Sequence, residues 1–328
     1  MSQLTFFPEP APVEPVVDDE ARALAARLPA GVRFGCCTWT FPGWAGLVYR
    51  GRPSLAQLQR HGLRACSRWP LFGAVEMDHT FYRPPSADDL RRLARELPPG
   101  FPALSKVWSE LTTHTFPNHP RLGDRAGLRN HRFLDPALAR EVVAPYVEAF
   151  TEHAGPLIFQ LPPVPDMAHR DPAQFARLVD RLLGALPSEP DANAPALRYA
   201  FELRNRELLT PRYLEVLAAH GAAHVISFYP AMPPIGEQLA LDGIFGARFA
   251  VARLLHPPGT DYESRRTLCE PFDALRDPQP QMRADVRRLA DACVADGREL
   301  FVMVDNKAEG SAPLTVRALA ELIARPAS

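Results

Sequence analysis

Eight short apolar runs alternate with helical segments along most of the chain, and this alternation constrains the fold more than any other feature. The runs are rich in Val, Ile, Leu and Phe, which is typical of strands buried on both faces of a sheet. Strict alternation of strands and helices indicates a parallel sheet, and eight units favour a closed (β/α)8 TIM-like barrel in a single domain. The predicted strands cover residues 32–37, 74–79, 101–106, 156–161, 197–203, 223–229, 247–254 and 299–305.

Capping residues support the helical segments between these runs. Ser54 is a good N-cap, and Thr210 is followed by Pro211 at the first helical position, where proline is favoured. An open doubly wound sheet is disfavoured, because no GxGxxG motif follows the first strand and no GxxxxGK[ST] motif occurs. Helices are predicted over 54–67, 86–98, 135–152, 171–186, 210–221, 280–297 and 312–324, with a weaker one over 236–246.

The composition is that of an ordinary globular protein. Hydrophobic residues make up 46% of the chain and charged residues 23%, and no run approaches the roughly 20 apolar residues of a membrane span. The formal net charge is -1, so no overall positive field attracts nucleic acid or a membrane. The acidic, proline-rich start is unlike a secretory signal. We expect a poorly ordered segment over 1–28, followed by the barrel domain over 29–328.

Cysteine and histidine usage bears on the compartment and on metal binding. Five cysteines without a secretory signal indicate reduced thiols and a cytoplasmic protein, and no Cys/His spacing suggests structural zinc. Residues of the types that bind divalent metals occur at Glu76, His79, Glu202, His256 and Asp305. Because they come from different strands, and because Lys106 and Arg253 compete for the carboxylates, no metal or other cofactor is predicted.

Lysine is almost absent from this chain. Of 37 basic residues only Lys106 and Lys307 are lysines, and both stand at predicted strand ends. A TIM barrel places its active site at the C-terminal ends of its strands. Lysine supplies a compact ammonium that arginine cannot replace. The placement of both lysines therefore favours a functional site at this face.

Further polar residues stand at the same strand ends. Glu76 lies within a hydrophobic strand, where a carboxylate requires a cationic partner or a raised pKa. Glu202 and Arg204 share a strand face, and they fit a buried structural ion pair as well as a functional role. The residues predicted to be catalytic are Glu76, Lys106, Glu202 and His256. Those predicted to bind substrate are Trp39, Tyr82, His114, Gln160, Arg204, Arg253, Asn306 and Lys307.

Two connections exceed the length of ordinary turns. Residues 107–134 follow the third strand and residues 255–279 follow the seventh. Loops of this length are usually functional or disordered, and both leave the face on which barrel enzymes act. We expect them to form lids over the pocket.

Several segments together resemble one family. VEMDHTFYRPPSADDLRRLARELPPGFPALSKV (75–107), GCCTWTFPGWAGLVY (35–49), FELRN (201–205) and VDNKAEGSAP (304–313) are similar to successive blocks of the YecE-like family, also called domain of unknown function 72. The resemblance covers about residues 32–323. It implies a TIM-like barrel with a conserved pocket and does not identify a reaction. Departures from the family pattern at 36–38, 78–79, 205 and 305 mark a divergent member.

Three kinds of function follow from these residues. The first is an enzyme acting on a small anionic or phosphorylated substrate, with Glu76 or Glu202 as general base and His114 or His256 as acid. The second is a nucleic-acid-binding or nucleic-acid-processing protein whose aromatic residues stack on bases, although the near-zero net charge weakens it. A non-catalytic scaffold is the third. No membrane partner is predicted.

Overall fold

Eight parallel strands close into a barrel in chain order. The computed structural model describes residues 12–187 and 197–325. Each strand pairs with the next, and the last pairs with the first, so the predicted fold class is confirmed. The strands are β1 (Val32–Cys36), β2 (Ala74–Met77), β3 (Ala103–Lys106), β4 (Ala154–Gln160), β5 (Tyr199–Glu202), β6 (Ala223–Phe228), β7 (Phe249–Leu254) and β8 (Glu299–Val304).

Helices connect the strands. The predicted weak helix between β6 and β7 is reduced to five residues, and short helices occur in the long connections as well. Within the described ranges, no helix has the length and hydrophobicity that crossing a bilayer requires. The helices are α1 (Asp19–Ala25), α2 (Leu55–Cys66), α3 (Ala87–Ala94), α4 (Ser109–Thr112), α5 (Pro136–Ala149), α6 (Pro165–Arg170), α7 (Pro172–Leu183), α8 (Pro211–Ala219), α9 (Ile235–Leu239), α10 (Tyr262–Cys269), α11 (Pro280–Ala295) and α12 (Ala312–Ile323).

The segment before β1 corrects one expectation. Helix α1 lies inside the segment 1–28 that composition marked as poorly ordered. Asp18 accepts a hydrogen bond from the backbone N–H of Ala21 at 2.8 Å and pairs with Arg317 of α12, and Leu24 is buried. This acidic segment is ordered because the carboxylate of Asp18 caps the helix and pairs with an arginine of α12. Residues 1–11 lie outside the described part of the chain.

The barrel interior changes from apolar to charged along the strands. Side chains two residues apart share a strand face, so Leu104 precedes Lys106 on the inward face of β3, and Ala200 precedes Glu202 on β5. Leu104 and Ala200 belong to an apolar cluster separate from the larger core that packs beneath the helices. The apolar cluster fills the interior below the level at which charged side chains begin.

The long connection after β7 is fixed against the end of β8. Arg265 of α10 is buried and donates hydrogen bonds to the backbone carbonyls of Lys307 at 2.7 Å and Ala308 at 2.8 Å. Its guanidinium also pairs with Asp277 at 2.5 Å. These contacts hold the residues between β7 and α10 beside the C-terminal mouth of the barrel.

The backbone of β1 approaches its neighbours closely at Gly35. A Cβ atom there would lie 2.5 Å from the backbone oxygen of Ala74 and 2.5 Å from the Cε of Met303. We predict that Gly35→Ala lowers the free energy of unfolding by about 1–3 kcal/mol, because β1 and β2 must separate to admit the methyl group. The measurement is chemical denaturation of both proteins.

Gly73→Ala is the matched control, because a Cβ at Gly73 would meet only Arg33 atoms at 3.5 Å or more. It should leave stability near that of the unsubstituted protein. Equal effects of the two substitutions would show that the approach at Gly35 does not constrain the barrel.

Candidate functional site

Arg253 of β7 crosses the barrel interior and joins strands that are not neighbours. Its Nε donates to Oε2 of Glu76 at 2.9 Å, and its Nη2 donates to Oε1 of Glu76 at 2.7 Å. Its Nη1 donates to Glu202 and, at 3.1 Å, to Oε1 of Gln160. Both carboxylates are fully buried. One guanidinium therefore links β7 to β2, β4 and β5.

The two carboxyl groups joined by Arg253 differ in acidity. Burial raises the pKa of Glu76, and the attraction of Arg253 and Lys106 only partly offsets this, so its pKa lies above the ordinary value. Burial also raises the pKa of Glu202, but Arg204 and Arg253 together outweigh it, and its pKa lies below the ordinary value. Different pKa values in a pair of carboxyl groups are typical of acid–base sites, although both groups here are covered by Arg253.

A cavity of about 590 Å³ lies over this network at the C-terminal ends of the strands. Every strand end contributes to its wall, which agrees with the predicted location. Glu76 and Glu202 do not line the cavity themselves, but both contact Arg253 of its wall, and Glu76 also approaches Lys106 and Glu202 pairs with Arg204. Of the predicted residues, those that line it are Tyr82, Lys106, Gln160, Arg204, Arg253, His256 and Lys307.

Three cations of the wall share one arrangement, a cation held between a carboxylate and an aromatic ring. We call these the three cation triplets. An aromatic face attracts a cation, and a carboxylate neutralises it. The triplets are Lys106 with Asp78 and Phe81, Arg204 with Glu202 (2.5 Å) and Tyr229 (3.7 Å to the ring centroid), and Lys307 with Asp305 (2.7 Å) and Tyr262 (4.7 Å).

Arg204 has a hydrogen-bonding group that the protein leaves unsatisfied. Its side chain is only 9% exposed, and Nη2 pairs with Glu202. Its Nη1 is buried and has no acceptor among the described residues. A buried guanidinium N–H without an acceptor is costly, so this atom favours an acceptor supplied by a ligand.

The hydrogen bonds around His256 determine its tautomer. The hydroxyl of Thr260 donates its one proton to the carbonyl of Pro257 at 2.7 Å, so its oxygen accepts from Nδ1–H of His256 at 3.0 Å. In the neutral ring, Nε2 then carries a lone pair. Burial and the nearby Lys307 lower the pKa of His256 and Asp305 opposes them, and the net pKa lies below the ordinary value. His256 is therefore neutral at pH 7, with Nε2 available to accept a proton.

Two residues predicted to bind substrate lie outside the cavity wall. Trp39 follows β1 but turns outward, and a Cβ at Gly62 of α2 would lie 3.0 Å from its ring. His114 lies in the connection after β3, where its Nδ1 contacts the hydroxyl of Thr115 at 3.0 Å and its ring packs edge-on against Phe133. Local packing thus places both side chains away from the cavity that the other predicted residues line.

Asn306 is a third predicted residue that lies outside the cavity wall. Its Oδ1 accepts hydrogen bonds from Nε1 of Trp44 at 3.0 Å and from the backbone N–H of Ala312 at 2.8 Å. Its side chain is buried and does not line the cavity. Asn306 thus satisfies a buried tryptophan and the start of α12 instead of facing a substrate.

The structure also adds residues that the sequence interpretation left out of the site. Asp78 and Asp305 pair with the two lysines, and Tyr229, Thr260 and Tyr262 complete the wall. Asp78 stands two residues after Glu76 and so shares its strand face, and this spacing could have placed Asp78 in the site. Thr260 and Tyr262 lie in an irregular connection, where no periodicity indicates the direction of a side chain.

The donor set of the cavity does not match that of a metal site. Across residues 12–187 and 197–325, no three His, Cys, Asp or Glu side chains are grouped so that they could hold a metal ion. The carboxylates are engaged by cations instead. Burial raises the pKa of Cys37 well above its ordinary value, so this cavity residue is a neutral thiol at pH 7.

Fold and cavity together define a (β/α)8-barrel protein with a charged pocket at the C-terminal ends of its strands. The family model described as "Protein of unknown function DUF72" matches residues 33–328, and the chain belongs to this family. The resemblance found in the sequence is confirmed. No match to the chain was found among curated proteins.

Solved structures of the same family share the fold. A DUF72 family protein from Thermotoga maritima MSB8 is 17% identical with a TM-score of 0.59, and the match covers 90% of this chain and 99% of that one. A DUF72 family protein from Enterococcus faecalis V583 is 14% identical with a TM-score of 0.57, covering 90% of this chain and 97% of that one. At these identities the similarity supports the architecture alone.

Removing the guanidinium of Arg253 should destabilise the barrel in a pH-dependent way. Arg253→Met takes from two buried carboxylates the counter-ion that they share, leaving Glu76 with Lys106 at 3.6 Å and Glu202 with Arg204, and we predict a loss of about 3–5 kcal/mol in the free energy of unfolding at pH 7. The pKa of Glu76 lies above its ordinary value even with Arg253 present, because of burial, and removing Arg253 raises it further. The folded protein then binds protons first, so the loss shrinks as the pH falls. Denaturation at several pH values measures this.

Glu76→Gln in the Arg253→Met background removes one of the two carboxylates that have lost Arg253 and should restore part of the stability at pH 7. A loss that does not depend on pH, or no recovery in the double variant, would contradict the role of Arg253 as counter-ion.

The tautomer of His256 is open to direct measurement. We predict that its Nδ1 is protonated and its Nε2 is not in the neutral ring, and that it titrates below the ordinary histidine pKa. Nitrogen-15 NMR of histidine-labelled protein distinguishes the tautomers, and His256→Gln identifies the signal among ten histidines.

Thr260→Val should release the ring into a mixture of tautomers, whereas Thr260→Ser should keep the Nδ1–H form. An Nε2–H form in the unsubstituted protein would refute the assignment.

Proposed function

We propose that this protein is an enzyme that binds a small anionic substrate in the cavity and acts on it by general acid–base catalysis. The observation that carries the proposal is the buried Nη1 of Arg204, which has no acceptor among the described residues, in a side chain that belongs to the same wall as His256. An anionic oxygen supplies the acceptor that Arg204 lacks, and a charge-assisted hydrogen bond makes this contact strong.

The proposed roles follow from the distances and the burial of each group. Arg204 binds the anionic group, and Lys106 and Lys307 contribute further N–H donors from β3 and from the end of β8. The Nε2 atom of His256 accepts a proton from the substrate, and Asp305 stabilises the imidazolium that forms. A neutral base near pH 7 suits this step because its lone pair is available without prior deprotonation.

Glu76 and Glu202 have a different role from the one first expected. Both are fully buried and contact Arg253, which separates them from the cavity. We assign them as positioning residues that orient Arg253, and Glu202 orients Arg204 as well. Proton transfer to the substrate is thereby left to His256.

Binding of single-stranded nucleic acid is the second candidate, and one observation favours it. Tyr82 is 74% exposed and Tyr262 is 54% exposed, and both rings lie on the cavity wall where a base could stack. However, Lys106, Arg204 and Lys307 are each paired with a carboxylate. Phosphates would have to displace these partners, so we rank this function second.

The experiment is a binding screen in which Arg204 is varied. The purified protein is tested by calorimetry against a panel of small carboxylates and phosphomonoesters and against an oligonucleotide. We expect at least one small anion to bind, and Arg204→Met to weaken that binding by about tenfold or more, the equivalent of roughly 1.4 kcal/mol. Oligonucleotide binding should be weak at physiological salt.

Arg181→Met is the matched control, because Arg181 is an exposed arginine in the last turn of α7 and does not line the cavity. Its binding should equal that of the unsubstituted protein. If no small anion binds in an Arg204-dependent manner, or if only the oligonucleotide does, the proposed function is wrong.

A further inference from the structure

The charged groups of the cavity and of the layer beneath it balance. Each cation contacts at least one carboxylate. Four cations therefore face four carboxylates. The cations are Lys106, Arg204, Arg253 and Lys307, and the carboxylates are Glu76, Asp78, Glu202 and Asp305.

Asp261 adds one negative charge to the cavity wall. Hydrogen bonds from the Ser264 side chain and from its backbone N–H, which donates to the carboxylate at 3.0 Å, keep the pKa of Asp261 below its ordinary value. The formal charge around an incoming ligand is thus zero in the inner wall and negative when Asp261 is included. Phosphate sites instead present an excess of cations or of backbone N–H groups.

The balance of cations and carboxylates limits the negative charge of a ligand that the cavity can bind. One anionic group finds the free Nη1 of Arg204, together with the spare N–H donors of Lys106 and Lys307. A phosphomonoester carries nearly two negative charges at pH 7. Its second charge would face Asp78 and Asp305 in a partly desolvated space, where like charges repel more strongly than in water, with Asp261 at the exposed rim.

The same carboxylates require hydrogen-bond donors from the ligand. The side chains of Asp78 and Asp305 are 38% and 18% exposed, and both line the cavity. A carboxylate has about four lone-pair sites, of which a single lysine occupies only part. Hydroxyl groups of a ligand satisfy the remaining sites, whereas the oxygens of a phosphate dianion only accept.

We propose that the substrate is a small polyhydroxylated monocarboxylate, such as a sugar acid, and not a phosphomonoester. The carboxylate binds Arg204, and the hydroxyl groups donate to Asp78 and Asp305. This inference rests on the proposed function, because it assigns a ligand class to the same cavity.

Three sugars with the same ring but different charges at one carbon test the charge preference of the cavity. Glucose, glucuronate and glucose 6-phosphate differ only at the sixth carbon, where they are neutral, singly charged and nearly doubly charged. Calorimetry with the full chain should give glucuronate the highest affinity, about tenfold or more above glucose 6-phosphate, because the second charge is unmatched. Glucose should bind more weakly than glucuronate, since it has no anionic group for Arg204.

Asp78→Asn tests the charge balance itself. It leaves Lys106 with Glu76 at 3.6 Å as its remaining partner and removes one negative charge, so that the cations of the inner wall outnumber its carboxylates by one. We expect the preference for glucuronate over glucose 6-phosphate to fall by about tenfold. Asp291→Asn, at an exposed position near the C-terminus of α11, is the control and should leave the preference unchanged.

The outcomes separate this inference from the proposed function. Glucose 6-phosphate binding as tightly as glucuronate or more tightly, in an Arg204-dependent manner, overturns the inference and leaves the proposed function standing. Failure of all three sugars to bind also overturns the inference. Because the comparison of the three probes uses the unsubstituted protein, it holds even if Asp78→Asn folds poorly.

Discussion

The contact on which the site depends is the guanidinium of Arg253 between the carboxylates of Glu76 and Glu202. A buried ion pair is weak support for stability, but breaking one leaves an uncompensated charge at high cost. Each of the three groups therefore requires the others. Their shared position also determines what lies above them, because Arg253 covers both carboxylates and is the only one of the three that reaches the cavity.

The cations of the cavity wall are also held by fixed partners. Lys106, Arg204 and Lys307 are each held by a carboxylate and an aromatic ring, so their positions are set before any ligand arrives. Groups that are already oriented lose little freedom on binding, which is how a polar site gains affinity. Arg265 extends this order to the connection after β7, since it anchors that connection to the segment bearing Lys307.

The fold and part of the site could be predicted from the sequence. Periodicity located every strand to within two or three residues because buried parallel strands are continuous apolar runs. The alternation of side chains along a strand correctly placed Glu202 and Arg204 together. Trp39, His114 and Asn306 could not be placed this way, because each lies beyond a strand end, where the direction of a side chain depends on packing against other elements. Thr260 was missed for the same reason.

The ion pairs of Arg253 with Glu76 and Glu202 also affect the order in which the chain folds. Its partner Glu76 lies 177 residues earlier and Glu202 lies 51 residues earlier. A nascent chain that has emerged only as far as β6 carries both acids without the guanidinium that joins them, although Lys106 and Arg204 are already present. Contacts between residues so far apart in sequence form slowly. The link between β2 and β5 through Arg253 can therefore form only after β7 has been synthesised.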